Sequence, residues 1–406
     1  MYRYVSYILA SGLVSHREER QYWYRSAKTG PEGLYGNRFI QSLFDYQTSV
    51  LYKQLFLTPR ATLTGIFNRL SQRLWIPSQF VAIDEGTWPC HVSDPSCSWI
   101  PGKPHPHCVE YIGATDDMGF MCTMVWDKPH HNQKYTRPNT MRELVLQLAS
   151  QMASNLDQSL PDDECPFVFF TDARFSSAKT MVELQGMGFS SVMSCSSKMA
   201  PQVLMTWMKQ NLEKREWKTV YNSKLQATLT TIRVKKNTYL HLLTDWARTT
   251  PIKTQCEKKT PPKAKYYVMA PEAQSIYNKY KSSQDIWNKS VLSYSRANQW
   301  QNVDQAYVHF FVHALTVQAW LWYKARSNHQ ISNLQFRHQV LRGLQTSFGW
   351  VLPQQIRSNR VICWPIRALT KRKRCSHTGC DRKTTLICHG CNVVLCMNHM
   401  TEFHLS

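Results

Sequence analysis

Acidic residues are scarce in this chain: 27 Asp plus Glu stand against 49 Lys plus Arg in 406 residues, a formal charge of +22. That balance does not suit a polycationic partner and points to a polyanion, because phosphate contacts release counterions and steer encounter. Long hydrophobic runs are missing as well. The apolar stretch in "VSYILASGLVS" at 5 to 15 is too short to span a bilayer. With "MYRY" as a weak n-region, it reads as a helix of a domain that starts upstream rather than as a signal peptide. No internal repeat or low-complexity tract stands out, which sets aside solenoid architectures.

What is present is core material and thiol. Hydrophobic residues make up 43% and aromatic residues 12%, enough for two to four domains. Thirteen cysteines, an odd number, are spread unevenly, and five lie between Cys375 and Cys396. Clustering of that kind favours metal ligation in a reducing compartment over a secreted disulfide framework.

Periodicity divides the chain. Residues 1–75 read as a helical N-terminal region, with "SLFDYQTSVLYKQL" and "RATLTGIFNRLSQRL" spaced in threes and fours. Residues 76–195 carry "FVAID", then "HCVEYIGAT" and "FMCTMVWD" about the turn "DDMG" as a hairpin. Thr140 and Glu143 form a capping box that opens a helix. "CPFVFFTD" is too apolar for one wet face and reads as a fully buried strand; a helix at about 176–186 and the strand "SSVMSC" follow. Residues 196–268 alternate like antiparallel strands and read as a β-rich insertion. Residues 269–330 return to helical spacing, 331–372 read as connector, and 373–406 form a Cys/His module.

The order strand, strand, strand, helix, strand, helix, strand is that of a ribonuclease-H-like α/β unit. Asp84 and Asp172 end its first and fourth strands. Strand-end carboxylates suit Mg²⁺, which takes a few hard oxygen ligands from rigid elements. Two such ions stabilise both oxygens of a phosphoryl transfer. Taken singly, Asp84 with Glu85 also reads as the start of a surface loop, and Asp172 as the cap of a helix through "DARFSS". A third ligand must come from a later helix.

"AIDE" followed by "WIPGKPHPHCVEYIG", "FFTDARFSSAKTMVELQGMGFSSVMS" and "YNKYKSSQDIWNKSVLSYSRANQW" resemble the catalytic region of piggyBac transposases and their host-domesticated derivatives. The resemblance runs from about 80 to 325 and resumes in the Cys/His tail. It implies a ribonuclease-H-like core with three catalytic aspartates, interrupted by the β-rich insertion before the third. Asp84, ahead of the Pro101, Lys103, Pro104 loop, matches the first aspartate, and Asp172 matches the second. Asp285 matches the third, after Tyr277 and Asn278, with Arg296, Asn298 and Trp300 supporting the register; Asp304 in "VDQ" is an outside candidate.

The sequence departs from the family where Ser282, Ser283 and Gln284 replace glycine, glycine and valine, and Asn288 replaces a further aspartate. Serine has a β-carbon where glycine lets backbone turn tightly or approach DNA closely. The resemblance implies Mg²⁺- or Mn²⁺-dependent hydrolysis and strand transfer at transposon ends, a hairpin intermediate, and insertion into a short AT-rich target. Double-stranded DNA is the partner, a homodimer the expected assembly and the nucleus the expected location. The departures keep open a catalytically decayed, domesticated DNA- or chromatin-binding protein. A ribonuclease-H-like nuclease acting on RNA is a third reading.

In the tail, Cys375, Cys380, Cys388, Cys391, Cys396, His399 and His404 are zinc ligand candidates by type and spacing. Similar piggyBac tails imply a cross-brace. Cys375, Cys380, Cys396 and His399 would hold one ion, and Cys388, Cys391 and His404 would begin the second, completed by His377, water or a ligand past Ser406. Cys90, His91, Cys97, His105, His107 and Cys108 are irregularly spaced and read as loop residues and core thiols rather than as a metal site. "TKRKRC" at 370–375 suits a nuclear localisation signal, a phosphate clamp or a solvated linker. Lys258, Lys259, Lys263 and Lys265 form a second basic run. Trp88, Trp99 and Trp126 suit core packing or base stacking.

Overall fold

The computed structural model describes residues 2–13, 43, 60–103, 105–126, 140–154, 167–247, 250–257, 265–294, 302–327, 330–347, 366–376, 380–388 and 394. Nine strands form one sheet: β1 (Phe80–Pro89), β2 (Cys97–Trp99), β3 (His107–Asp116), β4 (Met121–Trp126), β5 (Val168–Thr171), β6 (Ser190–Cys195), β7 (Trp217–Asn222), β8 (Ala227–Lys235) and β9 (Thr238–Thr244). Their order is β2-β3-β1-β5-β6-β9-β8-β7, and β4 also pairs with β3. β1, β5 and β6 run parallel and β3 antiparallel to β1, as the ribonuclease-H-like reading expects. Beyond them, β9 pairs with β6, so three strands of the 196–268 segment prolong the main sheet, with α5 (Gln202–Lys209) against β7 and β8. β10 (Pro251–Glu257) and β11 (Lys265–Pro271) form a separate hairpin.

The central strands form where short apolar runs can be covered on both faces. In β5, Phe169 packs into the cluster of α3 (Met141–Ala153) and α4 (Ala178–Gly186), beside Leu144, Leu148, Met181 and Leu184. Its neighbours Val168 and Phe170 face the other side, against Tyr277 and Tyr280 of α6 (Glu272–Tyr280). Both faces are therefore dry, which is why the run reads as continuously apolar. Thr140 caps α3 with the reciprocal Glu143 bond, as its spacing predicts. The "DDMG" turn joins β3 to β4 with Gly119 at φ 79°, and Asp116 accepts hydrogen bonds from Met118 N, Phe120 N and Trp75 Nε1.

Three further helices cover the β1–β3–β4 end of the second face: α2 (Arg60–Leu74), α7 (Ser283–Leu292) and α8 (Val303–Arg326). They enclose Trp88, Tyr111, Trp126, Trp287, Phe310 and Phe311. Trp88 and Trp126 are therefore core residues, whereas Trp99 is exposed. α1 (Tyr2–Leu13) packs on α8 and on α9 (Asn333–Ser347). The 331–372 stretch is thus more than connector: Arg337 and Leu341 of α9 are buried, four residues apart on one helix face.

The helical pattern at 274–294 breaks into α6 and α7 at Lys281–Ser282, and Ser283 Oγ donates back to Tyr280 O at 2.9 Å. Ser282 has φ −92°, and neither serine is among the positive-φ residues, so this turn makes no demand for glycine. Stacking of Phe80 on Tyr280, centroids 4.4 Å apart, ties the turn to the start of β1.

At the other end of the chain, β12 (Ile366–Arg374) and β13 (Lys383–Cys388) form a hairpin that carries the basic 371–374 run in β12, with Lys373 and Arg374 exposed.

Candidate active site

β1 outruns its parallel neighbour. Ile83 pairs with Thr171, the last residue of β5, and both chains then reach a carboxylate, Asp84 and Asp172. β1 continues to Pro89 against β3, so Asp84 and Glu85 lie within a strand rather than opening a loop. β5 stops because Asp172 starts a turn: its Oδ1 accepts Arg174 N at 2.8 Å, and its carbonyl accepts Ser176 Oγ at 2.5 Å and Phe175 N at 3.2 Å. The helix that follows is capped by Ser177, which accepts Thr180 N, and not by Asp172. The open edge at the carboxyl ends of parallel strands is the usual ligand crevice of such sheets.

Oxygens of Asp84, Glu85 and Asp172 lie within 4.8 Å of one another there. Burial pushes the Asp84 carboxyl up to about 8, and the adjoining Glu85 charge adds to it. Burial would raise Glu85 too, but the hydrogen bond from Asp84 and the Lys103 and Arg174 charges outweigh it and hold Glu85 below the ordinary carboxylate range. Burial also raises Asp172, partly offset by the backbone bonds from Arg174 and Phe175. Crowded carboxylates of this kind keep a proton between them unless a cation replaces it.

Basic groups flank the cluster. Lys103 Nζ is 3.4 Å from Glu85 Oε1, and Arg174 Nη1 is 3.8 Å from Glu85 Oε2. Arg174 Nη1 also donates to Oε1 of Glu110 on β3. Even so, Glu85 Oε2 is buried and accepts no hydrogen bond. An orphaned carboxylate oxygen beside two aspartates is a donor set that suits a hard divalent cation.

α7 closes the floor. Asn288 Nδ2 donates to Glu85 O at 3.4 Å, Tyr111 OH donates to Asn288 Oδ1 at 2.5 Å, and Thr115 Oγ1 donates to Gln284 Oε1. Close approach is required here: a β-carbon at Gly86 would strike the Tyr111 ring, and one at Gly113 would strike Met121. Tyr277 of α6 is near enough for Asp172 and Asp84 to act on it, although burial is the main force raising its hydroxyl to about 12.

Sequence reasoning places Asp84 and Asp172 together, and so does the structure. It does not bring Asp285 to them. Asp285 is exposed in the first turn of α7, outside the carboxylate group, because Gln284, Trp287, Asn288 and Val291 occupy the helix face turned to the sheet. Asp304 lies in the first turn of α8, also outside it. Glu85, Glu110 and Arg174 stand at the cluster although the sequence reading did not assign them to it; "DARF" alone does not reveal that the arginine turns back to two glutamates.

Among the described residues, no three of Cys90, His91, Cys97, His105, His107 and Cys108 converge as ligands; Cys90 and Cys108 are buried. In the tail, Cys375 follows β12, its N–H bonding Arg382 O at 2.9 Å, and Ser376 N bonds Val394 O at 2.7 Å. Cys388 ends β13 opposite Ile366. Pro104, Lys258, Lys259, Lys263, Arg296, Asn298, Trp300, His377, Cys391, Cys396, His399 and His404 lie outside the described residues.

A family model described as Transposase IS4 matches residues 1–320. A solved piggyBac transposase synaptic complex with hairpin DNA is similar in fold, with a TM-score of 0.64 and 14% sequence identity, over 98% of this chain and 86% of that one. No curated protein matches the sequence significantly. No described helix is long and apolar enough to cross a membrane.

Proposed function

The chain belongs to the Transposase IS4 family, of piggyBac type, and from that premise we propose that it is a DNA transposase acting by metal-dependent phosphodiester chemistry. Membership implies use of a divalent metal. The observation that carries the reading is the convergence of Asp84, Glu85 and Asp172 within 4.8 Å at the open end of two parallel strands. Asp84 and Asp172 would be ligands held on rigid backbone. Glu85, rather than the exposed Asp285, would be the third carboxylate. Mg²⁺ or Mn²⁺ bound there would supply charge stabilisation to the attacking and leaving oxygens. Asp84 would give up its proton as the cation binds, and Asn288 would hold the Glu85 backbone in place.

Double-stranded DNA is the substrate that the +22 charge favours. The complex with hairpin DNA supports a hairpin intermediate at transposon ends, followed by strand transfer into target. Action as a homodimer in the nucleus belongs to the same proposal. So does a tail holding two Zn²⁺ ions, with Cys375 and Cys380 in one site and Cys388 with Cys391 in the other. The bond from Ser376 to Val394, two residues before Cys396, supports grouping Cys396 with Cys375.

The direct test incubates the purified chain with supercoiled DNA and Mn²⁺ and measures Mn²⁺ binding by electron paramagnetic resonance. Nicking and tight binding are expected, both lost in Asp84→Asn and Asp172→Asn and weakened in Glu85→Gln. Asp285→Asn should leave metal binding unchanged. Absence of a Mn²⁺ site overturns the reading. The exposure of Asp285 and the neutral Asn288 beside Glu85 favour a second reading, a DNA-binding derivative without cleavage. Intact DNA with DNA binding retained would select it.

A further inference from the structure

Glu85 is less exposed than the two cations that hold it. Its side chain is 19% exposed, whereas Lys103 is 35% and Arg174 34% exposed. They reach it from separate segments, Lys103 from the turn after β2 and Arg174 from the turn after β5. Lys103 engages Oε1 at 3.4 Å, and Arg174 lies 3.8 Å from Oε2. A divalent cation approaching the three carboxylates meets two positive charges already seated on one of them.

We propose that Lys103 and Arg174 couple metal binding to DNA binding: in the DNA-free protein they neutralise Glu85 and weaken the cation site, and a DNA phosphate draws them off. The inference rests on the reading of Asp84, Glu85 and Asp172 as a divalent-cation site. A phosphodiester is the ligand that suits both groups, since a guanidinium fork matches phosphate oxygens and an ammonium acts as a point charge. Arg174 also bonds Glu110, whose side chain is 7% exposed. A guanidinium has five N–H donors, enough to keep Glu110 while turning from Glu85 to phosphate. Glu110 would then be the pivot that keeps Arg174 at the site, and Glu85 the group released to the metal. By linkage, metal would strengthen phosphate binding by the same factor.

Mn²⁺ affinity of the full chain, read by electron paramagnetic resonance with and without short duplex DNA at low salt, tests this. Duplex DNA should tighten Mn²⁺ binding by roughly tenfold, within the usual range of coupling between sites. Lys103→Gln and Arg174→Gln should each tighten Mn²⁺ binding in the DNA-free protein and shrink the DNA effect. Arg174→Gln leaves Glu110 buried without its partner, so it is also made with Glu110→Gln; Lys103→Gln needs no such companion. If both substitutions leave DNA-free Mn²⁺ affinity unchanged or lower it, the coupling proposal is overturned while the cation site stands. If no form binds Mn²⁺, the cation site and the coupling fall together.

Discussion

Asp84 and Asp172 are successive outcomes of one ladder: the pairing of Ile83 with Thr171 ends the parallel contact of β1 with β5, and the next residue on each strand is a carboxylate. Two acids far apart in the chain are thereby set side by side by backbone hydrogen bonds rather than by flexible loops. Rigid mounting matters because a metal site tolerates displacements of only about 0.5 Å.

Asn288 links helix α7 to the strand beneath the cluster, and its bond from Tyr111 is short and shielded. A double-mutant cycle of Tyr111→Phe and Asn288→Ala, read by urea denaturation, should give a coupling energy of about 1 kcal/mol. Strict additivity would show that the bond contributes nothing.

Gly86→Ala should destabilise the protein by about 1–3 kcal/mol, as overpacking does. The added β-carbon meets Cζ and Cε2 of a fully buried Tyr111. Gly65→Ala is the matched control. It meets only the end of the Arg69 side chain at 3.3 Å, in a helix where alanine is favoured by about 1 kcal/mol. Thermal midpoints should therefore move in opposite directions.

His241 lies on β9 opposite Thr231 of β8, with Nδ1 2.9 Å from Thr231 Oγ1. Burial, helped by the Lys209 charge, lowers its pKa to about 4 from an ordinary 6.5. The folded state thus favours the neutral ring, and the unfolded chain binds more protons between those values. The contribution to stability is complete above pH 6.5 and is lost as pH falls through 4. The stability difference between the native protein and His241→Gln should shrink across that window. A constant difference would contradict it.

The hairpin of β12 and β13 bears on the proposed zinc sites. Cys375 and Cys380 flank its turn, while Cys388 lies at the far end of β13, roughly 16 Å along the strand. Ligands of one tetrahedral zinc cannot be so far apart. Cys375→Ser and Cys388→Ser should each lower the zinc content by one ion, and the double variant by two, as measured by native mass spectrometry. Loss of the same single ion from all three would refute two separate sites.

Much of the architecture is written locally. The short apolar runs "FVAID" and "VFFT", the Thr140 capping box and the turn at Gly119 each follow from a few neighbouring residues, and each forms where its pattern predicts. Asp84 on β1 and Asp172 just past β5 are legible as candidate carboxylates for the same reason, since a charge at the end of an apolar run demands a partner. The direction of Asp285 is not legible. It depends on which face of α7 the buried Gln284 and Trp287 claim against a sheet made from other parts of the chain. The pairing of Arg174 with Glu110, 64 positions away, depends likewise on strand register. Periodicity and capping act within one turn of helix or one pair of strand residues; a helix's rotation and a distant ion pair are settled by packing among segments that no local pattern joins.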